Sequence, residues 1–419
     1  MDEKIQKLYM ERMNRMETAI HLGTPDRVPL APYFSSWPQR VNGSSYEDIF
    51  YNYEAAGQAA FKFYAEHPML DISTYGGFTS GKANELAQTQ IIDWPGRPGG
   101  IVGKYSSHQV IELELMTQDE YPEMLKDFTG FIIRKYLPRV YPALKPLSTF
   151  NFTPTAVLGT SPLLNPLHSD EALEMYKTLE QIHQAEAEAS AATWKYMGMI
   201  TEGLGFPPIM CGISEAPYDI LGDYYRGTMG IFEDLTDDDM QGYMEEACEL
   251  FAQQQIQALQ YLRFLDMPVK RIFFPLHKGM DGFMNDEQYE RLYWKPLKKI
   301  MMALIDMDVT PYIYTEGPYD TRIDFLTDVP KGKVYYHFEK VDMKKTKEKL
   351  SGIACISGNL SISMLEFGKK EDVIATTRKL LEDCMPGGGY VFDFDGSLEN
   401  AKEENLDAMF ETLDKYGKY

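Results

Sequence analysis

Apolar and polar positions in the second half of the chain alternate between two rhythms. Short runs rich in Val, Ile, Tyr and Phe, namely VKRIFFPL (269–276), VTPYIYTE (309–316), KVYYHFE (333–339), ACISGNL (354–360) and GYVFDFDG (389–396), read as strands. The segments between and after them space their apolar residues three and four apart and read as helices: 285–307, a short one within 319–328, then 342–350, 369–385 and 404–417. The first of these helices starts at an Asn285/Asp286 cap. Strands alternating with helices imply parallel pairing through βαβ crossovers. Strands this apolar imply a sheet covered on both faces, either open and doubly wound or closed into a barrel. Upstream, PPIMCGI (207–213) is another strand candidate and RVPLAPY (27–33) opens the series. Eight such units give an α/β fold, a (β/α)8 TIM barrel, expected to take in residues 1–419 as a single domain.

Two stretches depart from this rhythm. Residues 1–26 begin as a charged amphipathic helix. Residues 80–150 hold Gly, Pro, the alternating run HQVIELELM and then the helix-like EYPEMLKDFTGFIIRKYL, and are expected to form an insertion packed on the barrel.

Barrels of this kind carry their chemistry in the loops that follow the strands. After 207–213 come Glu215, Tyr218 and Asp219; after 269–276 come His277, Lys278 and Asp281. The next strands end in Tyr314 and Glu316, in His337 and Glu339, and in Asn359, and the last offers Asp393 and Asp395. Each alone has a plainer use. Acids after strands cap helices, an Asn after Gly turns the chain, and a single His satisfies a core carbonyl. Their recurrence at one edge of an apolar sheet is what points to a common cavity. Glu316 and His337 end consecutive strands 21 positions apart, which brings them within reach of one ion or one substrate.

Charge narrows the functions open to such a fold. Forty-one Lys and Arg against sixty-three Asp and Glu leave a net charge of −22. That excludes nucleic acid and anionic membrane surfaces as expected partners, since both need clustered cations. No apolar run reaches 18 residues, and the N-terminus lacks the apolar core of a signal peptide. Four cysteines, widely spaced and without a CxxC pair, fit reduced thiols in a cytoplasmic protein.

The succession PDRVP, YYRGTMGIFEDL (224–235), HKGMDGFMNDEQYERLYWKPLKK (277–299) and GKVYYHFEKVD followed by ISGNLSISML resembles the uroporphyrinogen decarboxylase superfamily. Within it the chain is most similar to corrinoid-dependent methyltransferases, the methyltransferase I type of O-demethylase systems that cleave phenyl methyl ethers. The arginine-rich stretch with which the true decarboxylases grip propionates is replaced by APYFSSWPQRV (31–41). The thiol-methylating relatives carry a zinc-binding His-x-Cys where this chain has Tyr314-x-Glu316.

The ether-cleaving group carries a zinc motif Glu-x14-Glu-x20-His, whose last two members fall on Glu316 and His337 and whose first falls on Met301. The resemblance therefore implies a methyltransferase moving a methyl group from a small methylated aromatic to the cobalt(I) of a cobalamin-type corrinoid on a partner protein. It implies Glu316, His337 and Tyr314 as catalytic residues, either with a zinc on Glu316 and His337, for which Asp393 or Asp395 offers a third ligand, or without metal and with Glu316 or His337 as the general acid. Glu215, Tyr218, His277, Asp281, Asn359 and Asp393 are the expected substrate contacts, and Tyr218, Tyr314, Phe34 and Trp37 are placed to sandwich an aromatic ring. A homodimer is the expected assembly. The alternative reading, a decarboxylase of a small aromatic or pyrrolic acid, needs a basic clamp, for which Arg226 and Lys278 are the candidates.

Overall fold

A computed structural model of the protein describes residues 1–152 and 160–419. Two short antiparallel strands come first, β1 (Ile92–Asp93) and β2 (Gln109–Val110). Six parallel strands follow in sequence order: β3 (Gly212–Ile213), β4 (Arg271–Leu276), β5 (Thr310–Pro318), β6 (Tyr335–Lys340), β7 (Cys355–Ser357) and β8 (Tyr390–Val391). Two further staves close the ring. Ala31 donates its backbone N–H to Phe392 O and Asp71 donates to Leu30 O, while Ser73 donates to Pro207 O and Ile209 donates back to Ser73 O. Residues 28–31 and 71–73 thus complete eight staves, and the fold is the TIM barrel expected from the sequence. The stave at 71–73 carries no signal of its own, because Asp-Ile-Ser is too short to show a period.

Alternation along each strand separates two apolar layers. Ile313, Tyr336, Phe338 and Ile356 face outward and pack beneath the helices in the large core. Ile72, Ile209, Tyr312, Tyr314, Tyr335, Cys355 and Val391 fill the interior, together with Met16, Ala19 and Ile20 from the N-terminal helix Glu3–Ile20. That helix plugs the N-terminal end of the barrel. Its Arg15 and the nearby Arg27 both donate to Asp71, whose side chain is fully buried and also accepts from Leu30 N–H. Removing one member of such a cluster strands buried charge. Asp71→Ala is therefore expected to lower the unfolding free energy by about 3–5 kcal/mol, read from denaturant midpoints, and a loss below about 1 kcal/mol would be no more than a surface pair gives.

Most helix expectations hold within a few residues: 370–384, 403–416 and 343–350 are helical, and 286–305 is one continuous helical run. The segment 319–328 contributes only Ile323–Leu326. The alternating run HQVIELELM is a correction. Only Gln109–Val110 pairs as strand; beyond it Leu115 and Met116 donate their N–H groups to Tyr225 O. The helix Asp170–Gly198 precedes the stave at 207–213 and packs against the helix Tyr53–Glu66, which lies between the staves at 28–31 and 71–73.

Candidate active site

The ladder between β5 and β6 builds the site from the inside upward. Tyr312 pairs with Tyr335 and their rings stack at 4.5 Å; on the next rung Tyr314 pairs with His337 and their rings stack at 3.9 Å, tilted by 7°. Side chains two apart share a face, so Glu316 and Glu339 rise above this column toward the mouth. There a break in register after Thr315 lets Glu339 accept from the N–H of Gly317. Gly317 has a φ of +76°, and a Cβ there would meet the Met280 sulfur at 2.7 Å, so only glycine fits the turn.

The ion partner of Glu316 is His277. His277 Nε2 stands 3.7 Å from Glu316 Oε1 across the mouth, while its Nδ1 donates to Asp223 Oδ2 at 2.6 Å. Asp223 also pairs with Lys278, which reaches Glu112 at 3.1 Å. Asp219, one helical turn before Asp223, is fully buried and accepts three hydrogen bonds: from the N–H groups of His277 and Lys278 and from the Tyr293 hydroxyl. It fixes the loop that carries His277.

Burial by itself favours a neutral imidazole, but the bond to Asp223 and the charges of Asp219 and Glu316 outweigh it and hold His277 up at about 9. Burial likewise opposes charge on Asp223, yet His277 and Lys278 bring its carboxyl below the ordinary range. Burial pushes Glu316 up, His277 offsets this, and Glu339 and Asp223 add to it. At neutral pH the mouth thus presents an imidazolium whose Nε2–H faces a carboxyl across a gap too wide for a hydrogen bond. A heteroatom docking beside Nε2 from the mouth can take the proton.

The other predicted residues divide sharply. His337 is buried one rung below Glu316, with Nδ1 at 3.1 Å from both Asp393 Oδ2 and Ser357 Oγ, and its Nε2 lacks a partner. Tyr314 covers it, and its own hydroxyl is also unpartnered. Asp393 is buried and accepts from the N–H of Tyr33. Glu215 sits on the rim of a neighbouring surface cleft, accepting from the Tyr224 hydroxyl. Four expected contacts are placed otherwise. Tyr218 and Trp37 lie in the core between strands and helices. Asp281 ties its loop to Thr321, and Asn359 donates to the carbonyls of Glu339 and Val341. Asp395 caps the turn at Ile362.

Asp223 was not among the expected residues. Its signal is the Asp219/Asp223 spacing of four, which puts both carboxylates on one helical face, but that face acquires meaning only beside a loop 54 residues away.

A catalytic zinc takes three protein donors and leaves a position open. Among the described residues no three His, Cys, Asp or Glu side chains gather closely enough to hold an ion. Glu316 is engaged with His277, His337 lies a rung lower, and Met301 is buried in the helical layer. The donor set does not fit the zinc site that the ether-cleaving motif implies.

Tyr33 also lines a neighbouring cleft of about 170 Å³, walled by residues within 33–50, Ala60, Tyr64, residues within 74–79 and His108. Its ring lies 6.3 Å from that of Tyr314. Among the described residues no helix is long and apolar enough to cross a membrane.

The architecture is similar to that of a solved structure, a methyltransferase from Methanosarcina mazei. It covers 97% of this chain and 98% of that one at a TM-score of 0.57, with 14% sequence identity, a likeness of fold. Among curated proteins none matches the sequence. Residues 159–416, well over half of the chain, match the family described as Uroporphyrinogen decarboxylase (URO-D), and the chain belongs to that family.

Proposed function

We propose that the chain is a methyltransferase that moves the methyl group of a phenyl methyl ether to the cobalt(I) of a corrinoid carried by a partner protein. Family membership and the likeness to a methyltransferase support this reading. The observation that carries it is His277 Nε2 facing Glu316 across 3.7 Å at the barrel mouth.

A phenyl methyl ether is inert because its leaving group is a phenolate, whose conjugate acid has a pKa of about 10. Reduced cobalt supplies the electron pair that bonds to the methyl carbon. The chain must make the oxygen leave. With the ether oxygen docked beside His277 Nε2, the electrons of the breaking carbon–oxygen bond stay on oxygen and the Nε2 proton moves there, giving a phenol and a neutral imidazole. A donor held at about 9 is well matched to that oxygen. Asp223 keeps the proton on His277 until then, and Glu316 and Glu339 favour the positive charge that develops on the departing methyl group.

Mixing the purified chain with a methoxylated aromatic and a reduced corrinoid protein is expected to give the methylcobalt absorption spectrum and one phenol per methyl group. No spectral change across a panel of such ethers would overturn the reading. The decarboxylase alternative loses both of its clamp candidates. Arg226 is 1% exposed and spends its guanidinium on Asp234, Glu114 and the Met116 carbonyl; Lys278 is buried against Asp223 and Glu112. Since the acid here is a proton donor, the chain treated with a chelator is expected to keep its full methyl-transfer rate and to hold well under one zinc per chain. Stoichiometric zinc whose removal abolishes turnover would contradict the proton-donor assignment.

A further inference from the structure

His277 is not the only cation on Asp223. Asp223 Oδ2 holds the imidazole, while Oδ1 holds the ammonium of Lys278. Lys278 is 4% exposed, and its Nζ also donates to Glu112 Oε1. The other oxygen of Glu112 accepts from the N–H of Thr228 at 3.1 Å and from the Thr228 hydroxyl. Thr228 lies in the first turn of the helix Gly227–Thr236, an end that favours an anion. The arm that carries Glu112 is tied by the N–H of Ile111 to Ile91 O and by those of Leu115 and Met116 to Tyr225 O. The acids around His277 differ in strength. Burial pushes Asp219, Glu215 and Glu316 above the ordinary carboxyl range. Burial opposes charge on Asp223 and Glu112 too, but bonds to His277, Lys278 and Thr228 outweigh it and bring both below that range. Burial favours a neutral amine on Lys278, yet Asp223 and Glu112 keep it an ammonium. Two firm cations and two firm anions thus alternate in one largely buried chain, His277–Asp223–Lys278–Glu112, which carries no net charge.

We propose, resting on the methyl-transfer reading above, that Glu112 is a positioning residue for the proton donor. Docked between Thr228 and Lys278, it balances the ammonium and leaves Asp223 to hold His277, so the imidazole stays loaded only while the arm is in place. Without Glu112, two cations would share one buried carboxylate. An unbalanced buried charge is relieved by losing a proton. An imidazolium, ordinarily at about 6.5, gives one up before an ammonium, ordinarily at about 10.4. Glu112 acts on His277 through Lys278 and Asp223.

The titration of His277 in the chain alone, without corrinoid or ether, tests this apart from turnover. It is followed by NMR on isotope-labelled histidine, with the His277 signal assigned by its loss in His277→Gln. Glu112→Gln is expected to lower the midpoint by about one pH unit, and the alkaline limb of kcat/KM for methyl transfer is expected to move with it. Adding Lys278→Met to Glu112→Gln removes the surplus cation and is expected to return the midpoint to that of the parent chain. A brace that served only the fold would not be restored by a second loss. Thr228→Val, which takes one bond from Glu112 and changes no charge, is expected to lower the midpoint by less. A Glu112→Gln midpoint equal to that of the parent, or a double variant that titrates with Glu112→Gln, would overturn the inference. A Thr228→Val midpoint equal to that of the parent would overturn it whether or not the double variant folds. Midpoints that move as expected with no methyl transfer would leave the inference standing and remove the proposed reaction. Methyl transfer whose alkaline limb stays in place in Glu112→Gln would do the reverse.

Discussion

His277→Gln is expected to slow methyl transfer by about 10²–10⁴-fold, the range a positioned acid supplies. Glutamine keeps a polar group near Asp223 and Glu316 but has no proton to give, so substrate binding should change little and kcat should carry the loss. The dependence on leaving group separates this from a merely structural role. An ether whose phenol is strongly acidic departs without help, so the penalty should shrink as ring substituents lower the phenol's pKa. A penalty that stays constant across such a series would mean that His277 holds the loop and does not protonate the oxygen. The loop itself is secured by Asp219, which grips the backbone N–H groups of His277 and Lys278 independently of the imidazole.

Glu316→Gln is expected to cost about 10²-fold in kcat. The change removes the charge that faces His277 Nε2 while leaving a side chain of the same size at the mouth. The carboxyl is half-exposed and makes no close hydrogen bond, so the fold should be unaffected and the thermal midpoint unchanged. A variant that loses activity and stability together would move Glu316 from the chemistry into the scaffold. His337 is different: it is fully buried, with Asp393 and Ser357 on its Nδ1 and Tyr314 stacked over its ring. It orders the column on which Glu316 stands.

The sequence showed where the barrel's second half lies because those strands are long, apolar and regularly punctuated, and because strand ends announce polar residues. Glu316 and His277 were legible as members of that list. Their pairing was not, since strand order suggested His337, the neighbour in register, as the partner of Glu316. Register places His337 beside Tyr314, one rung lower, and it is the loop after β4 that swings His277 across the mouth. Asp223 was hidden because its helix looks like any amphipathic segment until Lys278 and His277 are set against it. The cleft is assembled from residues within 33–50, Ala60, Tyr64, residues within 74–79 and His108, which no local period connects. Glu112 meets Lys278 across 166 positions, a distance that only the folded chain removes.

The pH dependence of kcat/KM for methyl transfer tests the central claim, that a histidine kept protonated by Asp223 delivers the proton. A raised pKa means that the active, protonated form persists below it and is lost as pH climbs through it. The parent chain should therefore hold its rate from neutrality to about pH 9 and fall beyond it. Asp223→Asn removes the hydrogen-bonded charge, so its alkaline limb should move down toward the ordinary histidine range, with the rate recovering at lower pH. A profile flat through pH 9, or a limb that stays in place when Asp223 is replaced, would contradict it.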